Sequence, residues 1–292
     1  GISKWYELFT PRQLLALLTF TKWVRRIEEV LRNIGYEENL IKAIVTFLAL
    51  IHSYLSNFLS TVCRWQNNWE VTTATFSRQA IPMTWDFSEI NTITSLEGWS
   101  TILRWTTYVI KEYSSKNISV QKDIIRASAT ELPYTNNFFD AIITDPPYYD
   151  NISYAALSDF FYVWLKRSIG HLYPEHFSGE LTPKKKEIIA DAKRHGSREK
   201  ARRFYEEMME KSLGEAWRVL KPNSPMVLIY AHKTTAGWST LVEALRKSGF
   251  VIQEAWPIHT ERPGRLLEIG SSALASSIFL VARKRERGKI GS

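Results

Sequence analysis

Apolar positions recur at helical spacing through the first third of the chain, where Leu14, Leu17, Leu18, Val24, Ile27 and Leu31 repeat every three or four residues up to Gly35. Thr10-Pro11-Arg12-Gln13 marks the start of this helix with an N-cap, a proline at the first helical position and a glutamine that closes a capping box. A second apolar helix is expected over 39–64. Its stretch 43–60 approaches bilayer-spanning length but carries His52, Ser53, Ser56 and Asn57, and is read as a buried helix. Residues 65–91 are rich in Trp, Thr and Asn, show no sustained period and read as an irregular connection. A third helix is expected over 96–113, with Trp99, Ile102, Leu103, Thr106, Val109 and Ile110 on one side.

From about residue 121 short β-branched runs alternate with amphipathic helical segments, the signature of a parallel α/β sheet. Strands are expected at 123–127, 140–144, 226–230, 251–257 and 276–282. Between them, a helix over 153–169 stops at Gly170, another over 197–220 starts at a serine cap and stops before Pro222, and a third over 238–247 is followed by Gly249. The expected organisation is a helical subdomain and connection over 1–115, an α/β domain over 116–285 with a helical insertion at about 150–220, and a basic tail over 286–292.

Charge and cysteine usage narrow the classes. The 292 residues carry 38 Lys and Arg against 30 Asp and Glu, a net charge of +8 that suits a polyanionic partner. The single cysteine, Cys63, excludes internal disulfides and a zinc ribbon. The start has no signal-peptide pattern and begins with Gly1, which is read as a processed or engineered start of a cytoplasmic protein without a membrane anchor. His171 and His176 lack partner cysteines and are read as loop residues, so no metal is expected. Of the eleven tryptophans, Trp65, Trp69, Trp85, Trp99 and Trp105 fall in or beside the helical region and are expected mostly in its core or against a partner.

The chemistry concentrates in Asp140-Ala-Ile-Ile-Thr-Asp145-Pro146-Pro147-Tyr148, an apolar strand running into an acid, two prolines and an aromatic. In an open α/β sheet, ligands gather beyond the carboxyl ends of the strands. The prolines stiffen the turn and leave carbonyls free to accept hydrogen bonds. A carboxylate, a free carbonyl and an aromatic plane together suit a planar ring bearing an amino group, which needs two acceptors and a stacking surface. The alternative is that Asp145 caps the turn and Tyr148 fills the core.

Asp-Pro-Pro-Tyr at the end of an apolar strand resembles the catalytic motif of S-adenosylmethionine-dependent amino-methyltransferases of nucleic-acid bases. The longer string Asp145-Pro-Pro-Tyr-Tyr-Asp-Asn151 with Leu157-Ser-Asp-Phe-Phe-Tyr-Val-Trp-Leu165 resembles a prokaryotic family of adenine-specific DNA methylases, specifically its C-terminal catalytic half. The resemblance extends through Trp85-Asp-Phe-Ser-Glu-Ile-Asn91, Leu181-Thr-Pro-Lys184, Ala231-His-Lys-Thr234, Trp256-Pro-Ile and Ala273-Leu-Ala-Ser-Ser277. It implies a partial Rossmann-like class I methyltransferase sheet, lacking the glycine-rich first strand, behind an N-terminal helical subdomain. It also implies S-adenosylmethionine as cofactor and adenine N6 in DNA as acceptor, with cytosine N4 or an RNA adenine as substitutes.

By the same resemblance Asp145, Pro146 and Tyr148 are catalytic, and Pro147, Tyr149, Asn151, His232 and Lys233 border the substrate. Ser128, Ala129 and Leu132 stand where the family holds the cofactor adenine, with Ser128 in place of the usual acid. Lys184, Lys185, Lys186, Arg194 and Arg198 belong to a run of nine basic residues between 184 and 203, read equally as phosphate contacts or as a solvated helix face. Arg262 and Arg265 are candidate phosphate ligands or an exposed hairpin tip, and the turn 221–224 is expected to be structural. No Gly-x-Gly occurs anywhere in the chain. In the family that motif lies in a preceding N-terminal half, so a separate half chain carrying it is an expected partner, and a non-catalytic binding subunit is the alternative function.

Overall fold

The computed structural model describes residues 2–77, 80–115, 124–150, 152–232, 235–258 and 277–285. The chain divides into two units, one formed by Gly1–Gln121 with Tyr154–Lys184 and the other by Lys122–Ser153 with Lys185–Ser292.

In the first unit, helix α1 (Pro11–Ile34) starts as its sequence dictates. The Thr10 hydroxyl accepts from the Gln13 amide while the Gln13 side chain accepts from the Thr10 amide. It ends at Gly35, whose φ of 94° is left-handed and closes the last turn. Helix α2 (Glu38–Ser56) is capped by the Glu37 carboxylate. It stops eight residues short of the expected end at 64 because polar groups take over its last turn. The Ser56 hydroxyl donates to the Ser53 carbonyl, and the Asn57 carbonyl accepts from both the amide and the hydroxyl of Thr75. The connection that follows holds one small antiparallel pair, β1 (Trp65–Gln66) and β2 (Val71–Thr72). Helix α3 (Trp99–Ser115) begins later than expected and buries no residue fully.

Helix α4 (Tyr154–Ile169) lies within the expected insertion yet packs with α1 and α2. Phe160 is the centre of an aromatic cluster with Trp5, Phe9, Phe76 and Phe161. α2 is long and apolar enough to cross a membrane, and its buried face is instead packed on α1 and α4. Of the five tryptophans Trp65, Trp69, Trp85 and Trp105 are exposed and so do not join the core of this unit, while Trp99 stacks on Phe20 at 4.7 Å. Short loops and a helix without a fully buried face give those rings nothing to pack under.

The second unit carries a four-stranded sheet of β3 (Ile142–Thr144), β4 (Met226–Tyr230), β5 (Phe250–Ile258) and β6 (Ser277–Lys284) in the order β3-β4-β6-β5. β3 runs parallel to β4, but β6 is antiparallel to both β4 and β5, so the sheet is mixed rather than parallel as expected. β5 and β6 are consecutive in sequence with no described helix between them, and a parallel pair requires such a crossover. Three helices accompany the sheet: the short α5 (Ala192–His195), α6 (Arg198–Val219), capped by Ser197, and α7 (Thr235–Lys247). Tyr205, Met209 and Leu213 of α6 and Leu241 and Leu245 of α7 share one core with Met226, Leu228 and Tyr230 of β4. The turn 221–224 is structural, as expected, with Lys221 donating to the Phe139 carbonyl and Arg283 to the Asn223 carbonyl.

The expected strand at 123–127 is absent over its described part. Residues 124–127 form no regular structure, and Ile124 is 92% exposed. Among the described residues β3 has a paired neighbour on one side only, and 124–127 do not take up its open edge. Arg262, Arg265 and the 286–292 tail lie outside the described residues.

His52 of α2 makes the stability of the first unit depend on pH. It is fully buried, with Nε2 at 2.9 Å from the Leu17 carbonyl of α1, and this bond requires the ring to donate from Nε2. Burial holds its pKa down at about 4, against a weaker opposing effect of the Leu17 bond. The neutral ring is thus the folded form, while the unfolded chain takes up a proton near 6.5. The contribution of His52 to stability is complete above pH 6.5 and falls away as the pH drops toward 4, by on the order of 3 kcal/mol. Urea denaturation at pH 7 and pH 4.5 should show a smaller loss of stability for His52→Gln than for the parent chain.

Candidate active site

β3 delivers Asp145 at its carboxyl end, and the prolines at 146 and 147 end the strand because neither has an N–H to offer the ladder. The Asp145 side chain is exposed. The Tyr148 hydroxyl donates to its Oδ1 at 2.5 Å, which fixes the carboxylate and leaves Oδ2 pointing elsewhere. Among the described residues no donor is bonded to the Pro146 carbonyl. The Tyr148 ring stands edge-on to Tyr230, with centroids 5.1 Å apart, so it is half-buried and oriented by the core of its own unit.

The next residues turn sharply. Tyr149 adopts φ 50°, a left-handed backbone unusual for a bulky side chain. Four contacts hold it there. Its amide donates to the Pro147 carbonyl at 3.2 Å, its own carbonyl accepts from Ala190 at 2.9 Å, and its ring meets Tyr205 and His232 edge-on. The Tyr205 hydroxyl donates to the same Pro147 carbonyl at 2.8 Å. The Tyr230 hydroxyl donates to the Gly237 carbonyl at 3.4 Å, and desolvation raises the pKa of both phenols, so both keep their protons.

His232 follows β4 and is 7% exposed, near-parallel to Tyr230 and with Nε2 at 4.0 Å from the Asp150 carboxylate. Its carbonyl accepts from the Trp238 indole at 3.1 Å. A Cβ at Gly237 would come within 2.2 Å of the His232 ring, so glycine is required there for the imidazole to lie where it does. Asp145, Pro146, Pro147, Tyr148, Tyr149 and His232 are thus gathered around the end of β3 and β4. Asn151 and Lys233 lie outside the described residues.

The end of the stretch expected to hold the cofactor is tied to α6. Leu132 donates its amide to Glu215 at 2.9 Å, and Arg218 bonds the carbonyls of Leu132 and Tyr134 at 2.9 and 2.7 Å. Arg218 and the Leu132 amide together hold the Glu215 carboxyl down at about 2. The Ser128 hydroxyl is bonded to Thr130 at 2.8 Å, and Ala129 is exposed. The basic run also divides. Lys184 pairs with the buried Asp159 at 2.7 Å, and Arg194 is clasped by Glu187, Asp191 and Ser153. Lys185, Lys186 and Arg198 are exposed and make no ion pair among the described residues.

Sequence reasoning missed Tyr205, Tyr230 and Gly237. The signal for Tyr205 was present: it falls on the apolar face of its helix with Ala201, Met209 and Leu213, and a phenol on a core face needs a partner for its hydroxyl. Which partner it finds depends on a turn 58 residues earlier in the chain, and no local pattern carries that.

No family model matches the chain, and no curated protein is similar to it. Among solved structures, TTHA0409 of Thermus thermophilus, which carries the name of a DNA modification methylase, is 14% identical over 57% of this chain and 55% of its own, with a TM-score of 0.31. The [4+2]-cyclase SpnF is 15% identical over 63% of each chain, with a TM-score of 0.29. The chain spans between half and two thirds of the length of the structures it matches. The functional reading therefore rests on the site.

Proposed function

We propose that this chain supplies the target-base side of an S-adenosylmethionine-dependent methyltransferase that modifies an exocyclic base amine, adenine N6 in DNA. The observation that carries the reading is the exposed Asp145 carboxylate, pinned through one oxygen by Tyr148, beside the unbonded Pro146 carbonyl. An amino group on a purine ring has two N–H donors and a lone pair delocalised into the ring. Asp145 Oδ2 accepting one N–H and the Pro146 carbonyl the other would draw the nitrogen out of conjugation and set the direction in which its lone pair points. Asp145 is also positioned to take the proton that the nitrogen gives up on becoming a secondary amine. Tyr148 offers a ring face to a base rotated out of its duplex. Such stacking is worth about 1–3 kcal/mol, comparable to the few kcal/mol that flipping costs.

When bound, the cofactor supplies a methyl carbon made electrophilic by its sulfonium sulfur. The described residues fit the base side of that reaction and not the cofactor side, since the Ser128 hydroxyl and the Leu132 amide are already bonded within the chain. A second reading follows from this and from the sheet. β3 is an edge strand, and its Ile143 is 75% exposed, whereas both faces and inner edges of a parallel strand are ordinarily covered. On this reading the chain is a half-enzyme whose companion brings further strands and the glycine-rich cofactor turn.

Three outcomes are expected. Asp145→Ala should abolish transfer of a labelled methyl group to DNA while leaving DNA affinity within about tenfold, a difference of roughly 1.4 kcal/mol. Survival of transfer defeats the assigned role, and nucleoside analysis of the product separates adenine N6 from cytosine N4. Replacing Lys185, Lys186 and Arg198 by Gln should flatten the dependence of DNA affinity on salt by roughly one unit of slope for each phosphate that the chain no longer touches. Calorimetric titration of the chain alone with S-adenosylmethionine should give no binding heat, and an added companion half should restore it. Binding by the chain alone rejects the half-enzyme reading.

A further inference from the structure

The corner that carries Asp145 and Tyr148 has its own support, and it comes from a phenol of the core. Tyr205 is fully buried on α6, and Tyr230 is fully buried on β4. The Tyr205 hydroxyl donates to the carbonyl of Pro147 at 2.8 Å, whereas the Tyr230 hydroxyl donates to the Gly237 carbonyl at 3.4 Å and its ring meets Tyr148 edge-on. The Pro147 carbonyl belongs to the peptide linking Pro147 to Tyr148, and it also receives the Tyr149 amide. Two donors on one carbonyl, with proline rings on the upstream side and a left-handed residue downstream, leave the peptide little rotational freedom. The direction in which Tyr148 leaves the backbone, and with it the reach of its hydroxyl to Asp145, depends on how that peptide is turned.

We propose that Tyr205 is a positioning residue: its hydroxyl sets the plane of the Pro147–Tyr148 peptide and so aims Tyr148 and Asp145 at the acceptor amine. The catalytic consequence rests on the methyltransferase reading, whereas the positioning itself does not. A core tyrosine that served packing alone would be replaced by phenylalanine without local consequence, because the ring contacts with Tyr149 at 5.1 Å would persist. The hydroxyl instead donates to a backbone carbonyl of the candidate site, 58 residues away from α6's own Tyr205 position in the chain.

The test uses Tyr205→Phe in the whole chain, with Tyr230→Phe as a second variant and two measurements. Hydrogen exchange read by mass spectrometry should show at least tenfold faster exchange at the amides of 148–150 in Tyr205→Phe, with α7 unchanged. Tyr230→Phe, which removes a hydroxyl bonded to Gly237 and keeps the ring contact with Tyr148, should leave exchange at the same amides within threefold of the parent chain; acceleration there equal to that of Tyr205→Phe overturns the assignment to the Tyr205 hydroxyl. Unchanged exchange at 148–150 in Tyr205→Phe, or acceleration spread evenly over the unit, overturns the positioning role. In a preparation that transfers methyl groups, kcat should fall about tenfold in Tyr205→Phe while DNA affinity stays within threefold. A fall confined to thermal stability, with kcat per folded molecule intact, overturns it as well. If the parent chain, alone or with a companion half, transfers no methyl group, the methyltransferase reading fails while the exchange measurement still decides the role of Tyr205.

Discussion

The peptide between Pro147 and Tyr148 is the constraint on which the candidate site depends. Upstream, two proline rings fix φ and remove two donors, so β3 cannot continue. Downstream, Tyr149 sits in a left-handed conformation that costs on the order of 1–3 kcal/mol and persists only because its surroundings insist on it. The insistence is identifiable: the Tyr205 hydroxyl and the Tyr149 amide on one carbonyl, the Ala190 amide on the Tyr149 carbonyl, and aromatic rings packed around the turn. A strained backbone beside an exposed carboxylate is thereby held in one shape.

This support comes from elements far apart in sequence. α6 brings Tyr205, β4 brings Tyr230 and His232 follows it, and the start of α7 brings Gly237 and Trp238, with the phenols and the indole packed on the same core. β4 is paired on both sides, with β3 in parallel and β6 antiparallel, so it is the rigid strand against which the shorter β3 is registered. Ile142 faces Met226 and Thr144 faces Leu228, and this register decides where Asp145 emerges. Gly237 shows the tolerance involved, since a single methyl group there would collide with the His232 ring.

What could be read from the sequence, and what could not, divides along the range of the interactions. The α1 start, the Gly35 stop, the Ser197 cap and the β4 boundaries are local, and each was legible from a few neighbouring residues. The end of α2 was not, because Thr75 and Phe76 bind Asn57 from eighteen or nineteen positions away. The run Asp123-Ile-Ile-Arg-Ala127 has strand composition, but a strand also needs a neighbour, and over 124–127 none is described. In the site, Asp145, Pro146 and Tyr148 declared themselves through unusual local chemistry. Tyr205 is an ordinary core residue by every local criterion, and only its hydroxyl's destination gives it a further part.

The stretch from Ser128 to Leu132 is likewise governed by where its hydrogen bonds go. The Ser128 hydroxyl and the Leu132 amide and carbonyl are all bonded within the chain. Glu215 takes the Leu132 amide while Arg218 takes the Leu132 carbonyl, and the pair are three residues apart on one helix face. Each charged group stabilises the other, as the low pKa of Glu215 reflects, so freeing the Leu132 amide would leave a carboxylate deprived of a bonded donor. The arrangement stabilises the loop as a brace for α6, the helix that carries Tyr205. Through α6 the loop thus supports the turn that carries Asp145 and Tyr148.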